Sequence, residues 1–126
     1  MKIENIKFKA KRLDNGEWVK GDLVHSTSYV GISYPSDEFS DVPIVHRVDP
    51  ETVCQFTGLK DCEGNEIWEG DIVEREIWNQ LYNGLTKAKG VIEYKGAEFF
   101  VAINGETYSL YPKDIKVVNN KFDKEN

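Results

Sequence analysis

Acidic side chains are the residues of this sequence with the clearest chemical potential, and they concentrate in one central stretch: Asp61, Glu63, Glu66, Glu69, Asp71, Glu74 and Glu76. Paired carboxylates can transfer protons or bind a hard cation. The spacing does not favour a cation site, because Gly64 comes too early for an EF-hand calcium loop and the flanking residues have a strand pattern. Glu74 and Glu76 alternate with Val73 and Ile77, as on a solvated strand face. We therefore interpret these acids as structural.

Residues that serve as nucleophiles or transition-metal ligands are few. The histidines are His25 and His46 and the cysteines are Cys54 and Cys62, and they form no H-x-x-x-H, H-E-x-x-H or C-x-x-C pattern. We interpret the cysteines as one buried thiol and one turn thiol, and their spacing also permits a disulfide. The sequence has no nucleophile elbow and no clustered glycines to cradle a phosphate. We therefore expect no enzymatic activity, no metal site and no cofactor.

Apolar residues in the next segment offer a binding surface: Trp78, Leu81, Tyr82 and Leu85. Their spacing is helical, yet Asn83-Gly84 would interrupt a helix, so a folded loop with a partial turn fits equally well. Such a loop would leave the fold between two strands, a position where loops often carry recognition. Two interpretations stay open. The loop packs back on the fold or closes an oligomer contact, or it binds a partner.

The central stretch also contains residues that we interpret as a structural motif: Gly58, Gly64, Gly70 and Asp71. Gly64 follows turn residues and suits a positive φ, Gly70 indicates a kink before a strand, and Asp71 can cap nearby backbone N–H groups. Residues 17–24 can be aligned with residues 66–73, with Glu, Gly, Asp and Val coinciding. This echo fits two similar turn-and-bulge strands or two related β lobes, and both give Gly70 and Asp71 a backbone role.

The remaining pattern predicts a chain of short strands. In the first part, period-two alternation and an Asp-Asn-Gly turn predict a hairpin, and the predicted strands lie at residues 6–10, 18–24, 29–34 and 44–48. In the second part we predict hairpin turns at Lys95-Gly96 and Asn104-Gly105 and a 3₁₀ turn before the last strand. The strands of this part lie at residues 72–78, 89–95, 97–103, 107–111 and 115–118.

This order of strands and turns is typical of a small SH3-like barrel. We therefore predict a mainly β fold with an N-terminal β-hairpin lobe (residues 1–50), a C-terminal SH3-like small barrel (residues 51–119) and a polar tail (residues 120–126). The loop at Trp78 would leave this barrel between its first two strands.

Composition and charge limit the partners and the cellular location that we expect for the protein. The chain has 126 residues, a net charge of −6 and a pI of about 4.9, which argues against non-specific binding to a phosphate backbone. A nucleic-acid interaction would need a local basic face formed by Lys87, Lys89, Lys95, Lys113 and Lys116. The opening residues lack the apolar core of a signal peptide, and no stretch approaches the roughly 18 apolar residues of a membrane span. We expect a cytoplasmic protein without membrane association.

Residues 55–73 (QFTGLKDCEGNEIWEGDIV) resemble the YopX family, small proteins found mainly in bacteriophages and prophages. Weaker similarity extends over residues 6–10, 50–53, 90–94 and 115–118. Cys54 and Asn119 depart from the family pattern, which has glycine at these places. The resemblance implies a phage or mobile-element origin, a mostly β fold and a homo-oligomer. The family has no established activity, so the resemblance supplies no catalytic residues.

Three functions are compatible with these observations. The sequence favours a non-enzymatic phage or prophage accessory protein that binds a host or phage protein or assembles with itself. The alternative is a nucleic-acid-binding SH3-like barrel, by analogy at the level of the fold. The third is a hydrolase built on Glu66, Glu69 and Asp71, which requires these acids to converge.

Overall fold

The computed structural model describes residues 2–37, 39 and 42–123. These residues form short strands and contain no α-helix, only 3₁₀ turns at Ile3–Asn5, Pro50–Thr52 and Pro112–Asp114. The strands are β1 (Phe8–Lys11), β2 (Trp18–His25), β3 (Val30–Pro35), β4 (Pro43–Arg47), β5 (Cys54–Lys60), β6 (Glu66–Trp68), β7 (Asp71–Asn79), β8 (Gly84–Lys95), β9 (Glu98–Ile103), β10 (Glu106–Ser109) and β11 (Lys116–Asn120). They form two antiparallel sheets, so the prediction of a mainly β protein is confirmed.

The chain divides into two compact units, Met1–Phe56 and Thr57–Asn126. The division falls after Phe56, whereas the sequence placed it after residue 50. β5 therefore starts in the first unit and ends in the second. Each unit has a buried apolar core of its own.

In the first unit the strand order is β4-β3-β2-β1, with the start of β5 beside β1. β1 and β2 form the predicted hairpin, and its connection contains Gly16 at φ 72°. Because successive side chains of a strand point to opposite faces, alternate residues meet on one side of the sheet. Ala10, Val19 and Ile32 are buried there together with Val48.

Gly21 lies where β2 changes its neighbour. Residues up to Gly21 pair with β1, and residues from Asp22 onward pair with β3. The backbone of β3 comes so close that a Cβ at position 21 would lie 2.3 Å from the carbonyl oxygen of Ser33. Glycine is required here for steric reasons.

In the second unit β5 and β6 are neighbours, and the other strands have the order β10-β9-β8-β7-β11. The two hairpin turns are tight because Gly96-Ala97 and Asn104-Gly105 adopt positive φ. The first turn lies one residue later than predicted, and β8 begins at Gly84 and not at residue 89. The 3₁₀ turn precedes β11, as the sequence predicted. In the described part of the chain neither sheet is closed, so the predicted barrel closure is not shown.

The core of the second unit consists of residues at most 2% exposed: Ile67, Val73, Ile92, Val101, Ile103 and Ile115. β11 covers one edge of this core through its pairing with β7. The segment predicted as a polar tail begins inside the fold, because Asn120 is the last residue of β11 and is buried. Residues 124–126 of that predicted tail lie outside the described residues.

Candidate functional site

One hairpin of the second unit continues beyond its neighbouring strands. β7 runs to Asn79 and β8 begins at Gly84, but β11 pairs with β7 only as far as Glu74. Likewise, β9 pairs with β8 only from Val91 onward. Residues 75–89, which we call the arm, therefore form a two-stranded segment that pairs with no third strand within the described residues.

The end of the arm exposes large apolar side chains: Trp78 is 58% exposed, Leu81 90%, Tyr82 75% and Leu85 62%. Trp78 and Leu85 lie directly opposite each other, and Leu81 and Tyr82 occupy the turn between the strands. Asn79 shapes this turn, because its Oδ1 accepts a hydrogen bond from the N–H of Leu81 at 2.9 Å. The helix that the spacing permitted is not formed. We call these four side chains the tip.

The two faces of the arm differ in character. Ile77 and Ala88 pack against the core of the second unit, so their face is the inner one. Because side chains alternate along a strand, the neighbouring positions point to the outer face. There, directly opposed pairs follow one another from the tip to the base: Trp78 with Leu85, Glu76 with Lys87 and Glu74 with Lys89. Opposite charges directly across two strands contribute about 0.2–1 kcal/mol per pair to sheet stability.

The lysines proposed for a basic face have acids beside them. The opposed or adjacent pairs are Lys87–Glu76, Lys89–Glu74, Lys95–Glu98 and Lys116–Glu63, the last with Nζ 3.5 Å from Oε1. Lys113 lines a cavity of about 170 Å³ together with Glu76 and Asp114. Positive and negative charges are therefore interleaved on this surface. That arrangement does not favour the nucleic-acid alternative, which stays a prediction.

Asp61 ties the turn after β5 to the last strand. The residue is 5% exposed. Its Oδ1 accepts hydrogen bonds from the N–H groups of Glu63 at 2.9 Å and Asn65 at 2.8 Å, and its Oδ2 accepts one from the N–H of Val117 at 2.8 Å. Val117 belongs to β11 and is 56 positions away in sequence. The carboxylate thereby fixes a long-range contact that no local pattern in the sequence indicates.

The pKa of the Asp61 carboxyl group is below its ordinary value of 3.8. Burial alone would raise this pKa, but the hydrogen bonds from the backbone N–H groups of Val117, Asn65 and Glu63 together favour the charged form more strongly. Asp61 is therefore a charged group with a structural role.

Asp71 has a related role in the turn between β6 and β7. The residue is 2% exposed, its Oδ2 accepts from the N–H of Trp68 at 2.7 Å, and its Oδ1 accepts from Nδ2 of Asn120 at 3.1 Å. The preceding Gly70 adopts φ 85°, and its N–H donates to the carbonyl oxygen of Ile92 at 2.7 Å. Asp71 thus caps the backbone and also holds the end of β11.

Of the other motif glycines, Gly58 lies within β5 and Gly64 lies in the turn that follows it. Gly58 and Gly64 adopt φ of 83° and 85°, and the N–H of Gly64 donates to the carbonyl oxygen of Asp61 at 3.1 Å. Cys54 is buried in β5 and Cys62 is exposed in the following turn, and no disulfide joins them. The interpretation of the two cysteines is therefore confirmed, and the disulfide that their spacing permitted is not formed.

No group of three or more His, Cys, Asp or Glu among residues 2–37, 39 and 42–123 is arranged to hold a metal ion. In the same residues, no helix combines the length and the apolar character that crossing a membrane would require.

Comparison with protein families matches residues 7–123 to the family described as YopX protein. The chain belongs to the YopX family. The match covers nearly the whole chain, including residues 55–73, on which the resemblance was recognised, and the arm. The resemblance to this family is therefore confirmed. A search of curated proteins finds no match to this chain.

Proposed function

We propose that this YopX chain is a non-enzymatic binding module, a phage or prophage accessory protein whose binding surface is the tip of the arm. The observation that carries the proposal is the exposure of four large apolar side chains on a strand pair that continues beyond its neighbours. The inner face of the arm packs against the core through Ile77 and Ala88, whereas the four side chains of the tip are 58–90% exposed. Contiguous apolar surface on a folded protein marks an interaction site. A partner that covers the tip would therefore bind it and stabilise the arm.

Trp78 and Tyr82 give the tip the chemistry of a protein-binding surface. Large aromatic side chains account for much of the binding energy of protein interfaces, and they lose little conformational entropy when they are fixed. Leu81 and Leu85 extend the apolar area around them. A host protein, a phage protein or a second copy of this chain in the bacterial cytoplasm fits this tip better than a charged phosphate backbone does.

For the scaffold, we propose that the second unit is an open relative of the SH3-like barrel. Two features support this relation, the strand order β10-β9-β8-β7-β11 and the 3₁₀ turn immediately before β11. In this arrangement the arm is an enlarged connection between the first two strands of the meander. Connections held by a rigid scaffold often carry binding residues.

Affinity capture from an infected or lysogenic host tests the proposed function with a matched pair of variants. The tip variant W78S/L85S removes the opposed apolar pair of the arm. The control Y111S/L13S removes residues of nearly equal exposure, 57% and 64% against 58% and 62%. The wild type and the control should capture the same partner, and the tip variant should lose it. Equal capture by all three chains would contradict the proposal.

A further inference from the structure

We infer that the occupant of the arm is a second copy of this chain, with the two arms stacked outer face to outer face around a two-fold axis that runs along the arm. The inference rests on the proposed function, because it names the partner of the same surface. It is carried by the order of charges on the outer face, which the register of the hairpin defines.

The outer face is built in levels, each with one residue of β7 opposite one residue of β8. From the tip toward the base the levels are Trp78–Leu85, Glu76–Lys87 and Glu74–Lys89. Acids therefore form a row along β7, and lysines form a row along β8. Glu76 and Lys87 are both exposed and line the cavity of about 170 Å³ beside Lys113 and Asp114, so another molecule can reach the middle level.

A two-fold axis along the arm makes this face complementary to itself. The rotation lays β7 of each copy over β8 of the other, level by level. Glu76 of each copy then faces Lys87 of the other copy, and Trp78 faces Leu85. The same patch therefore serves both sides of the contact, as an isologous interface requires, and its charges are complementary at each charged level.

The other two-fold directions do not match these charges. An axis across the strands lays β7 over β7, so acids meet acids and lysines meet lysines, and a shift by one level places Glu76 against Trp78. An axis normal to the sheet joins the arms edge to edge and leaves the apolar tip uncovered. Charge mismatch of this kind disfavours the wrong arrangement. The longitudinal axis alone covers the tip and pairs the charges.

The contact is small, since it includes only the tip and two charged levels of each arm. Interfaces of this size lie at the low end of the range for specific protein contacts. We therefore expect reversible association with a dissociation constant in the micromolar range, and we expect added salt to weaken it because exposed charge pairs are screened.

Charge reversal at the middle level tests the stacking by sedimentation velocity. E76K makes this level positive on both strands, and K87E makes it negative on both, so each variant should self-associate about tenfold more weakly than the wild type. When the two variants are mixed, they present opposite charges to each other and should form a heterodimer. The control variants E98K and K95E make the same charge changes in an opposed pair at the β8–β9 turn and should leave association unchanged.

The double variant E76K/K87E separates the contact between copies from the charge pair within one hairpin. It keeps opposite charges across its own strands, so its folding should match that of the wild type and it should associate with itself. Against the wild type, however, it places like charges face to face. Fluorescently labelled double variant should therefore form no mixed dimer with unlabelled wild type, whereas labelled wild type should.

Three results would overturn the inference. The double variant could form mixed dimers with the wild type as readily as the wild type does with itself. E76K and K87E could self-associate as tightly as the wild type, or the wild type could stay monomeric well above micromolar concentration. If the monomeric wild type still captures a protein that W78S/L85S loses, the arm binds that other protein. The proposed function then stands, and only the second copy as its occupant is refuted.

Discussion

Replacing Asp61 by asparagine is the sharpest test of what holds β11 in the fold. In the wild type, the carboxylate accepts hydrogen bonds from the N–H groups of Glu63, Asn65 and Val117 at 2.8–2.9 Å. Asparagine has nearly the same shape but only one acceptor oxygen. If that oxygen keeps the two bonds within the turn, the new NH₂ group faces the N–H of Val117. One backbone donor then loses its acceptor, and the others lose a charged one.

The expected loss of stability follows from these contacts. A buried donor without an acceptor costs about 1–3 kcal/mol, and a hydrogen bond to a charged acceptor contributes about 1.5–3 kcal/mol. Because the two effects overlap at Val117, we expect D61N to lower the free energy of unfolding by about 2–4 kcal/mol. A small protein has a total stability of about 5–15 kcal/mol, so the change should be large enough to measure without ambiguity.

Urea unfolding followed by tryptophan fluorescence measures this loss, and D49N is the matched control. Asp49 Oδ1 accepts a hydrogen bond from the N–H of Glu51 at 3.0 Å at the start of a 3₁₀ turn. Asparagine caps such a position about as well as aspartate, so D49N should stay within about 0.5 kcal/mol of the wild type. If D61N proves as stable as D49N, the role assigned to Asp61 is refuted.

Four further predictions follow from the same structure. Acid should destabilise the wild type more than D61N, because the pKa of Asp61 in the folded protein is below the ordinary 3.8. The contribution of the carboxylate to the free energy of unfolding is therefore complete above that value and is lost as the pH falls through the folded pKa. Urea titrations at decreasing pH should show a flatter dependence of this free energy on pH for D61N. G21A should lower the free energy of unfolding by about 1–3 kcal/mol or more, because its Cβ would lie 2.3 Å from the carbonyl oxygen of Ser33. In the control G84A the nearest atom to the new Cβ is 3.7 Å away, so this variant should unfold near the wild-type urea midpoint. W78S should change the free energy of unfolding by less than about 1 kcal/mol while weakening partner binding about tenfold, measured by denaturation and titration. Fluorescence anisotropy with short DNA and RNA at low salt should show no binding, because acids lie beside the lysines of the second unit. Binding that weakens as salt is added would contradict this expectation.

The parts of the fold that sequence predicts well are those set by neighbours in the chain. The Asn104-Gly105 turn depends on a few adjacent residues and occurs where it was predicted. The first strand is predicted correctly in type, but it begins at Phe8 and leaves Ile6 43% exposed. The capping role of Asp71 is equally local, since its Oδ2 reaches the N–H of Trp68 only three positions earlier. Family membership depends on a continuous motif and was recognisable for the same reason.

The arm shows why the candidate surface was harder to predict. Trp78 and Leu85 are seven residues apart, a spacing that fits two turns of a helix and also a cross-strand pair around a short turn. Periodicity alone does not separate the two, and the helical alternative obscured the early start of β8. Exposure was also undecided, because it depends on where β9 and β11 stop pairing.

Long-range contacts were outside the reach of sequence patterns. The bond between Asp61 and the N–H of Val117 joins residues 56 positions apart, and nothing near either residue indicates it. Gly21 and Gly70 coincide in the alignment of residues 17–24 with 66–73, yet the two positions require glycine for different structural reasons. Gly21 avoids a clash with β3, whereas Gly70 adopts φ 85° in a turn.

Hydrogen exchange of the arm, compared between the free chain and its complex, tests whether the arm is the binding surface. The comparison sets the dilute free chain against the complex that capture recovers, whether the partner is another protein or a second copy. If the arm is the binding surface, the backbone amides of residues 75–89 should exchange more slowly in the complex, while those of β1 to β4 should keep their free rates. An arm that exchanges at its free rate in a complex protected elsewhere would refute the arm as the binding surface.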